Sequence, residues 1–124
     1  MKHVPGNYDR SFFEDQLAMS SKSAAIVVPL IVSIVQPRSV VDMGCGIGCW
    51  TAQFLLHGTS VIGVDGDWAD PEMLQIPGAC FVSHDLSEQL RLAQTFDLAL
   101  CLEVAEHLPA RRAGGLVSDL VELL

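Results

Sequence analysis

The sequence predicts an α/β fold built on a parallel β-sheet, and three observations carry that prediction. An apolar run at 40–43 leads into a glycine-rich stretch at 44–48, and an amphipathic segment follows at 49–57. Half of the 124 residues are hydrophobic, which is expected when parallel strands are covered by helices on both faces. Further short apolar runs recur along the chain, with helix or turn signals between them, at 60–65, 79–83 and 96–102.

The N-terminal region is predicted to be a polar arm followed by helix. Phe12–Val35 has helical character, and Pro29 is expected either to kink the helix or to divide it into two pieces. Ser21 or Ser23 can cap the second piece. The most apolar part, Ala24–Val35, is too short for a membrane span, so we interpret it as a buried helix. No signal peptide is recognised before it.

The glycine stretch indicates a nucleotide-cofactor site. Three glycines stand at alternate positions within 44–48, where a Cβ would block a ligand and where tight turns need positive φ. A dinucleotide-binding loop needs Gly-x-Gly-x-x-Gly, and here the third position falls on Cys49 or Thr51. Asp42, at the end of the first strand, completes Asp-x-Gly-x-Gly-x-Gly. This pattern resembles the first motif of class I S-adenosylmethionine-dependent methyltransferases, whose loop backbone cradles the methionine and ribose parts of the cofactor.

The second strand, 60–65, ends on Asp65, about 20 residues after the glycine loop opens. This is where the fold places an acidic residue for ribose hydroxyls, and a carboxylate can accept from both hydroxyls at once. An aspartate at a strand end can also simply start a turn. Gly66 and Asp67 follow. Trp68 is predicted either to lie against the adenine face or to pack on the sheet.

Two later motifs extend the resemblance. Asp85 follows the third strand, 79–83, and is similar to the acidic residue of the family that meets the adenine amino group. Asp85 and Glu88 also resemble a helix N-cap pair, and one residue can serve both roles. The fourth strand, 96–102, is nearly all apolar. In the family the backbone at its end, here Cys101-Leu102, approaches the methionine amino group.

The resemblance covers residues 39–109 and implies a Rossmann-like methyltransferase fold with strand order 3-2-1-4 and helices on both faces. It divides the chain into an arm with helices over the pocket, 1–37, and an incomplete S-adenosylmethionine-binding half-domain, 38–124. The implied activity is methyl transfer to a small-molecule acceptor, by O-methylation, although we do not expect these 124 residues to complete it alone. The cofactor-binding residues are predicted to be Asp42, Gly44, Cys45, Gly46, Gly48, Asp65, Gly66, Asp67, Trp68, Asp85, Leu86, Cys101 and Leu102.

Glu103, Glu106 and His107 suggest a metal site. At positions i, i+3 and i+4 they would share one helix face, and two carboxylates with an imidazole can hold Mg²⁺ or Mn²⁺. The triplet is similar to the metal-binding motif of small-RNA 2′-O-methyltransferases and some ubiquinone-pathway O-methyltransferases. A further histidine expected later in those families has no place in this sequence. The alternative is a helix start at which acidic residues favour the dipole.

Charge and cysteine content limit the partners. Fifteen acidic and seven basic residues give a formal charge of −8, which argues against nucleic acid, and no membrane partner is expected. Four cysteines without paired Cys-x-x-Cys spacing indicate free thiols in a cytoplasmic protein. Self-association is expected through the fourth strand as an unprotected edge. Two rival functions remain, a nicotinamide-dependent oxidoreductase and a non-catalytic cofactor-binding or interaction module.

Overall fold

A computed structural model describes residues 10–67 and 70–124 of the chain, so the prediction for Trp68 lies outside the described residues. Four short 3₁₀ helices are interspersed among the main elements, at Pro71–Met73, Gly78–Cys80, Ala105–His107 and Ala110–Arg112. The helices and strands are α1 (Arg10–Val35), β1 (Ser39–Met43), α2 (Cys49–Leu56), β2 (Ser60–Asp65), β3 (Phe81–Ser83), β4 (Leu98–Leu100) and α3 (Ala113–Glu122).

The four strands form one parallel sheet in the order β3-β2-β1-β4, as the sequence predicted. The first two strands have the predicted bounds. β3 is shorter than predicted because residues 78–80 form a 3₁₀ turn before it. β4 is also shorter, because Phe96 donates its N–H to the carbonyl of Leu123 while Asp97 donates to the carbonyl of Ser39. The strand start is therefore held outside the regular ladder.

Alternate residues of the strands enter two separate apolar layers, so the sheet is covered on both faces. On one face, Val40 packs with α1 and α2 through Val28 and Phe54. On the other face, Val41 lies in a cluster that includes Leu116 of α3. This arrangement follows from the period of two along a strand, which sends neighbouring side chains to opposite faces. The helices on both faces confirm the predicted architecture.

The helix α1 is continuous, and the prediction of two pieces is wrong. Pro29 lies inside it and removes one backbone donor. Ala24 and Val28, before the proline, and Ile31 and Val32, after it, all pack against the same cluster. Because both sides of the proline are held on one surface, the helix runs through it.

The interpretation of Ala24–Val35 as a buried helix is also corrected. The uninterrupted stretch Leu17–Val35 is long and apolar enough to cross a membrane by length and composition alone, and 11% of it is buried inside the protein. Only one side of α1 faces the core. The opposite side exposes large apolar side chains, namely Met19, Ile26, Leu30 and Ile34.

The outer edge of β4 is, after the exposed side of α1, a second surface with apolar residues that are not fully buried. Within the described residues, β4 pairs with β1 alone, and its Leu98 and Ala99 are half-buried. On the neighbouring helix α3, Val117 and Val121 are exposed. Self-association through this edge stays a prediction.

Candidate functional site

The glycine loop joins β1 to α2 at the carboxyl edge of the sheet, beside the switch point between β1 and β4. Gly44, Gly46 and Gly48 have φ values of 83°, 59° and 89°, a region that strongly favours glycine. The backbone N–H groups of Gly44 and Cys45 both donate to the carbonyl of Val64, at 2.7 and 3.1 Å. The loop is therefore tied to the end of β2, and its conformation depends on glycine at three positions.

Protein side chains surround this loop more closely than the sequence suggested. A Cβ at Gly44 would collide with the side chain of Val104, which is buried. A Cβ at Gly48 would lie 3.2 Å from Ile76. At Gly44 and Gly48 the atoms that a Cβ would meet belong to the protein itself, and the contact of these glycines with the cofactor stays a prediction.

The Asp65 carboxylate is hydrogen-bonded to the backbone of the glycine loop. Its side chain is 1% exposed, and one carboxylate oxygen accepts the N–H of Gly46 at 2.8 Å while the other accepts the N–H of Gly66 at 2.8 Å. These are charge-assisted hydrogen bonds, about twice as strong as neutral ones. A carboxylate retains acceptor capacity beyond two bonds, so the contact with ribose hydroxyls stays a prediction.

Asp42 is a second buried carboxylate beneath the loop. It accepts a hydrogen bond from the hydroxyl of Thr51 at 2.8 Å. Its pKa is raised to about 6, mainly by burial; the hydrogen bond from Thr51 opposes this shift, and the charge of Asp65 adds to it. Asp42 therefore acts from inside the protein, linking β1 to the first turn of α2, and its predicted contact with the cofactor stays a prediction.

The pKa of Asp42 makes a pH-dependent contribution to stability. Because the folded value of about 6 lies above the ordinary 3.8, the contribution is fully present below the ordinary value and is lost as the pH rises through 6. Because the native chain loses this contribution, we expect Asp42→Asn to gain about 2 kcal/mol of unfolding free energy relative to the native chain between pH 4 and pH 7. Urea denaturation at both pH values measures the change. Parallel pH profiles for the two proteins would contradict it.

An open depression of about 430 Å³ lies beyond β2 and β3 at the same edge of the sheet, lined by Gly66, Asp67, Ser83, His84 and Asp85. The Asp85 carboxylate is exposed and accepts from the backbone N–H and the hydroxyl of Ser87, at 2.9 and 2.7 Å. These hydrogen bonds lower its pKa, which keeps it anionic. No helix begins here, so the N-cap interpretation of Asp85 is wrong. Asp85 and Asp67 line the same depression, and their contacts with the cofactor stay predictions.

Leu86 directly follows Asp85. Its side chain is fully buried in the core, and its carbonyl accepts from the guanidinium of Arg112. A contact with the cofactor would therefore use its backbone N–H, and that contact stays a prediction. Cys101 and Leu102 directly follow β4, half-buried and exposed respectively, so their backbone lies at the predicted edge.

The cysteines of the site are protected thiols. All four cysteines of the chain are free. Burial is the main cause that raises the pKa of Cys45, Cys49 and Cys101. Since the thiolate is the reactive form, none of these three is activated.

The predicted metal triplet does not converge. Glu103 has a φ of 54° and precedes the short 3₁₀ helix Ala105–His107, so it does not share an α-helical face with Glu106 and His107. The His107 Nε2 and Glu106 Oε1 atoms are 3.5 Å apart, on exposed side chains. Among the described residues, no group of three His, Cys, Asp or Glu side chains is placed to hold a metal ion. The Mg²⁺ or Mn²⁺ prediction is therefore not supported.

Sequence reasoning missed several residues that shape the site. Thr51 was considered only because it stands where a dinucleotide-binding loop needs its third glycine. Its hydroxyl, in the otherwise apolar first turn of α2, could have indicated a buried hydrogen bond. Val104 and Ile76, which pack on the loop, lie far away in the sequence and carried no signal. Arg112 and Asp119 are buried charges seven residues apart, a spacing that places them on one side of a helix.

The chain is similar in sequence to known methyltransferases. A family model described as a methyltransferase domain matches residues 17–113. The ubiquinone biosynthesis O-methyltransferase of Coxiella burnetii is 32% identical over 81 residues, which cover 58% of this chain and 33% of that protein. The chain therefore spans about a third of the length of the curated relatives that it matches.

Solved structures share the fold. The amino pentose methyltransferase CalS10 from Micromonospora echinaspora, bound to S-adenosylmethionine, superposes with a TM-score of 0.72 at 22% identity, over 98% of this chain and 55% of that one. Magnesium protoporphyrin IX methyltransferase from Synechocystis PCC 6803, also with the cofactor bound, gives a TM-score of 0.62 at 22% identity, over 95% and 61% of the two chains. At these identities the likeness concerns the fold.

Proposed function

Because this chain belongs to the class I methyltransferase domain family, we propose that it binds S-adenosylmethionine and serves methyl transfer to a hydroxyl of a small molecule. The observation that carries the proposal is the Asp65 carboxylate, which ties the left-handed glycine loop after β1 to the end of β2. This places a backbone loop and a buried anion beside the switch point of a parallel sheet, where ligands of such folds bind. The prediction of the family from sequence is confirmed by the family match.

The described residues fit the chemistry of the cofactor. At the adenosine end, Asp85 offers an exposed carboxylate whose lowered pKa suits it to accept from an amino group. Asp67 is exposed on the turn after β2, beside the same depression. At the methionine end, the glycine loop and the backbone of Cys101 lie at adjoining strand ends. In this arrangement the acidic side chains would face the hydrogen-bond donors of adenosine.

The chain contributes alignment rather than a reactive group of its own. When bound, the cofactor would supply a methyl group that an acceptor attacks in line, with cleavage of the bond between that methyl and sulfur and release of S-adenosylhomocysteine. The glycine loop and Asp65 would fix one end of the cofactor, and Asp85 would fix the other. Val104 and Ile76 pack against the loop at Gly44 and Gly48, which would help to hold it in place. Orientation of this kind can provide a large part of a rate enhancement.

The nature of the acceptor is drawn from the relatives. The curated relatives carry the name ubiquinone biosynthesis O-methyltransferase, and the solved neighbours include an amino pentose methyltransferase. We therefore favour O-methylation of a small molecule that carries a hydroxyl group. Four free cysteines support a reducing, cytoplasmic setting for the protein.

Calorimetry with S-adenosylhomocysteine, S-adenosylmethionine and NAD tests the cofactor assignment. We expect both sulfur compounds to bind with micromolar dissociation constants and NAD not to bind. Transfer of radiolabelled methyl to a panel of phenols and amino sugars then tests catalysis with the complete protein. Preferential binding of NAD would indicate an oxidoreductase. Binding of S-adenosylmethionine without transfer to any acceptor would indicate a non-catalytic module.

A further inference from the structure

A buried arginine joins α3 to the segment that follows β3. Arg112 ends the 3₁₀ helix before α3 and is 8% exposed. Its Nε donates to the carbonyl of Leu86 at 3.0 Å, and its Nη2 donates to the carbonyl of Glu88 at 2.9 Å. The same Nη2 contacts the carboxylate of Asp119, which lies on α3. One guanidinium thus holds two backbone carbonyls and one acid.

Asp119 adds a third backbone contact to the same segment. It is 2% exposed, and its Oδ2 accepts the N–H of Leu90 at 2.9 Å. The ion pair therefore holds alternate residues, at 86, 88 and 90, in a stretch without helix or strand. Because this stretch has no regular ladder of its own, its path depends on side chains from α3.

The ion pair between Arg112 and Asp119 is better suited to fixing backbone positions than to stabilising the fold. A buried ion pair is seldom more stabilising than apolar residues of similar size, because both charges lose water. The planar guanidinium, however, presents several donors in a fixed fork. Such a group specifies the positions of carbonyl oxygens more closely than apolar contacts can.

Gly115 provides the room for this fork. A Cβ at Gly115 would lie 2.7 Å from Nη1 of Arg112, whereas a Cβ at Gly114 would meet nothing within 4 Å. Glycine is unfavourable inside a helix, and both glycines are in the first turn of α3. Only Gly115 therefore has a packing reason to be there.

We infer that Arg112 and Asp119 are positioning residues for the adenine side of the cofactor site, an inference that rests on the proposed function. The segment they hold begins at Leu86, the residue directly after Asp85, whose carboxylate would accept from the adenine amino group. Arg112 does not touch the cofactor. It fixes the backbone next to Asp85, and so holds the carboxylate that would recognise the adenine amino group. The protein therefore prefers adenine to a base without that amino group.

The test is the ratio of affinities for S-adenosylhomocysteine and S-inosylhomocysteine, which lacks the amino group. We expect the native protein to prefer the adenosyl compound at least tenfold. Gly115→Ala, which displaces the guanidinium, is expected to reduce the ratio to about threefold or less. Gly114→Ala is the matched control, because it makes the same helix-favouring change into open space, and it should keep the native ratio. Arg112→Lys keeps the positive charge but loses the planar set of guanidinium donors, so it should reduce the affinity ratio as Gly115→Ala does.

The outcomes separate this inference from the proposed function. A native protein that binds no S-adenosylhomocysteine overturns both. Normal binding in the native protein, with an unchanged ratio in Gly115→Ala and Arg112→Lys, overturns the positioning role alone. If Arg112→Lys does not fold, Asp119→Asn carries the same measurement, since it removes the charge that orients Arg112 and leaves an oxygen for Leu90. A merely structural role would lower the melting temperature without altering the ratio.

Discussion

Replacing Asp65 with alanine is expected to weaken S-adenosylhomocysteine binding by roughly 2 kcal/mol or more, about 30-fold. The substitution removes the acceptor for two backbone N–H groups, those of Gly46 and Gly66. Both groups belong to turns whose conformation forms the site, and the carboxylate between them is 1% exposed. Hydrogen bonds to a charged group contribute roughly 1.5–3 kcal/mol each. We also expect a lower unfolding free energy, by roughly 2–4 kcal/mol.

Calorimetry and urea denaturation measure the two effects of Asp65→Ala. Glu72→Ala is a suitable control, because it removes an exposed acid from the loop that follows β2 and should change neither quantity by much. Asp65→Asn should lie between the native protein and the alanine variant, since one amide oxygen can replace one of the two acceptors. A folded Asp65→Ala protein with native affinity would sink the assignment of this residue.

The strands and the glycine loop were predictable because their signals are local. The runs ending at Met43 and Asp65 are apolar, short and bounded by turn residues, and both strands have the predicted bounds. The alternation of Val40 and Val41 between two faces follows from strand geometry alone. Gly58 directly follows the amphipathic segment predicted at 49–57, and it has the positive φ of 78° that is typical of a glycine after the end of a helix.

Predictions failed where tertiary contacts override local preference. Pro29 signals a break, but packing on both sides of it keeps α1 in one piece. The spacing of Glu103, Glu106 and His107 has meaning only on an α-helix. A positive φ at Glu103 and a 3₁₀ turn after it remove that condition. No local pattern could have revealed either fact.

The two carboxylates beneath the loop illustrate a further limit of sequence reasoning. Asp42 and Asp65 were predicted to face the cofactor, yet both are almost fully buried. Asp42 contacts Thr51, and Asp65 contacts the backbone of the loop. Both acids therefore support the loop, and their predicted contacts with the cofactor stay predictions. The sequence alone does not distinguish an acid that touches a ligand from one that holds the surface on which the ligand lies.

Gly44→Ala is expected to be the most destabilising single change in the loop, at a cost of roughly 2–5 kcal/mol of unfolding free energy. The left-handed backbone at φ 83° costs a residue with a Cβ roughly 1–2 kcal/mol. The new methyl would also collide with Val104, a side chain that is 2% exposed, and overpacking of this kind costs typically about 1–3 kcal/mol. Urea denaturation measures the sum.

Gly58→Ala isolates the backbone contribution to this cost. Gly58 has a φ of 78°, close to that of Gly44, but a Cβ there meets nothing within 4 Å. We expect Gly58→Ala to cost roughly 1–2 kcal/mol, so the excess in Gly44→Ala reports the collision. Combining Gly44→Ala with Val104→Ala should recover that excess, because the colliding methyl group is removed, and the double-mutant cycle should show favourable coupling. Equal losses of unfolding free energy in the two glycine variants would mean that Val104 moves aside at no cost. The packing of Val104 would then not hold the loop in place.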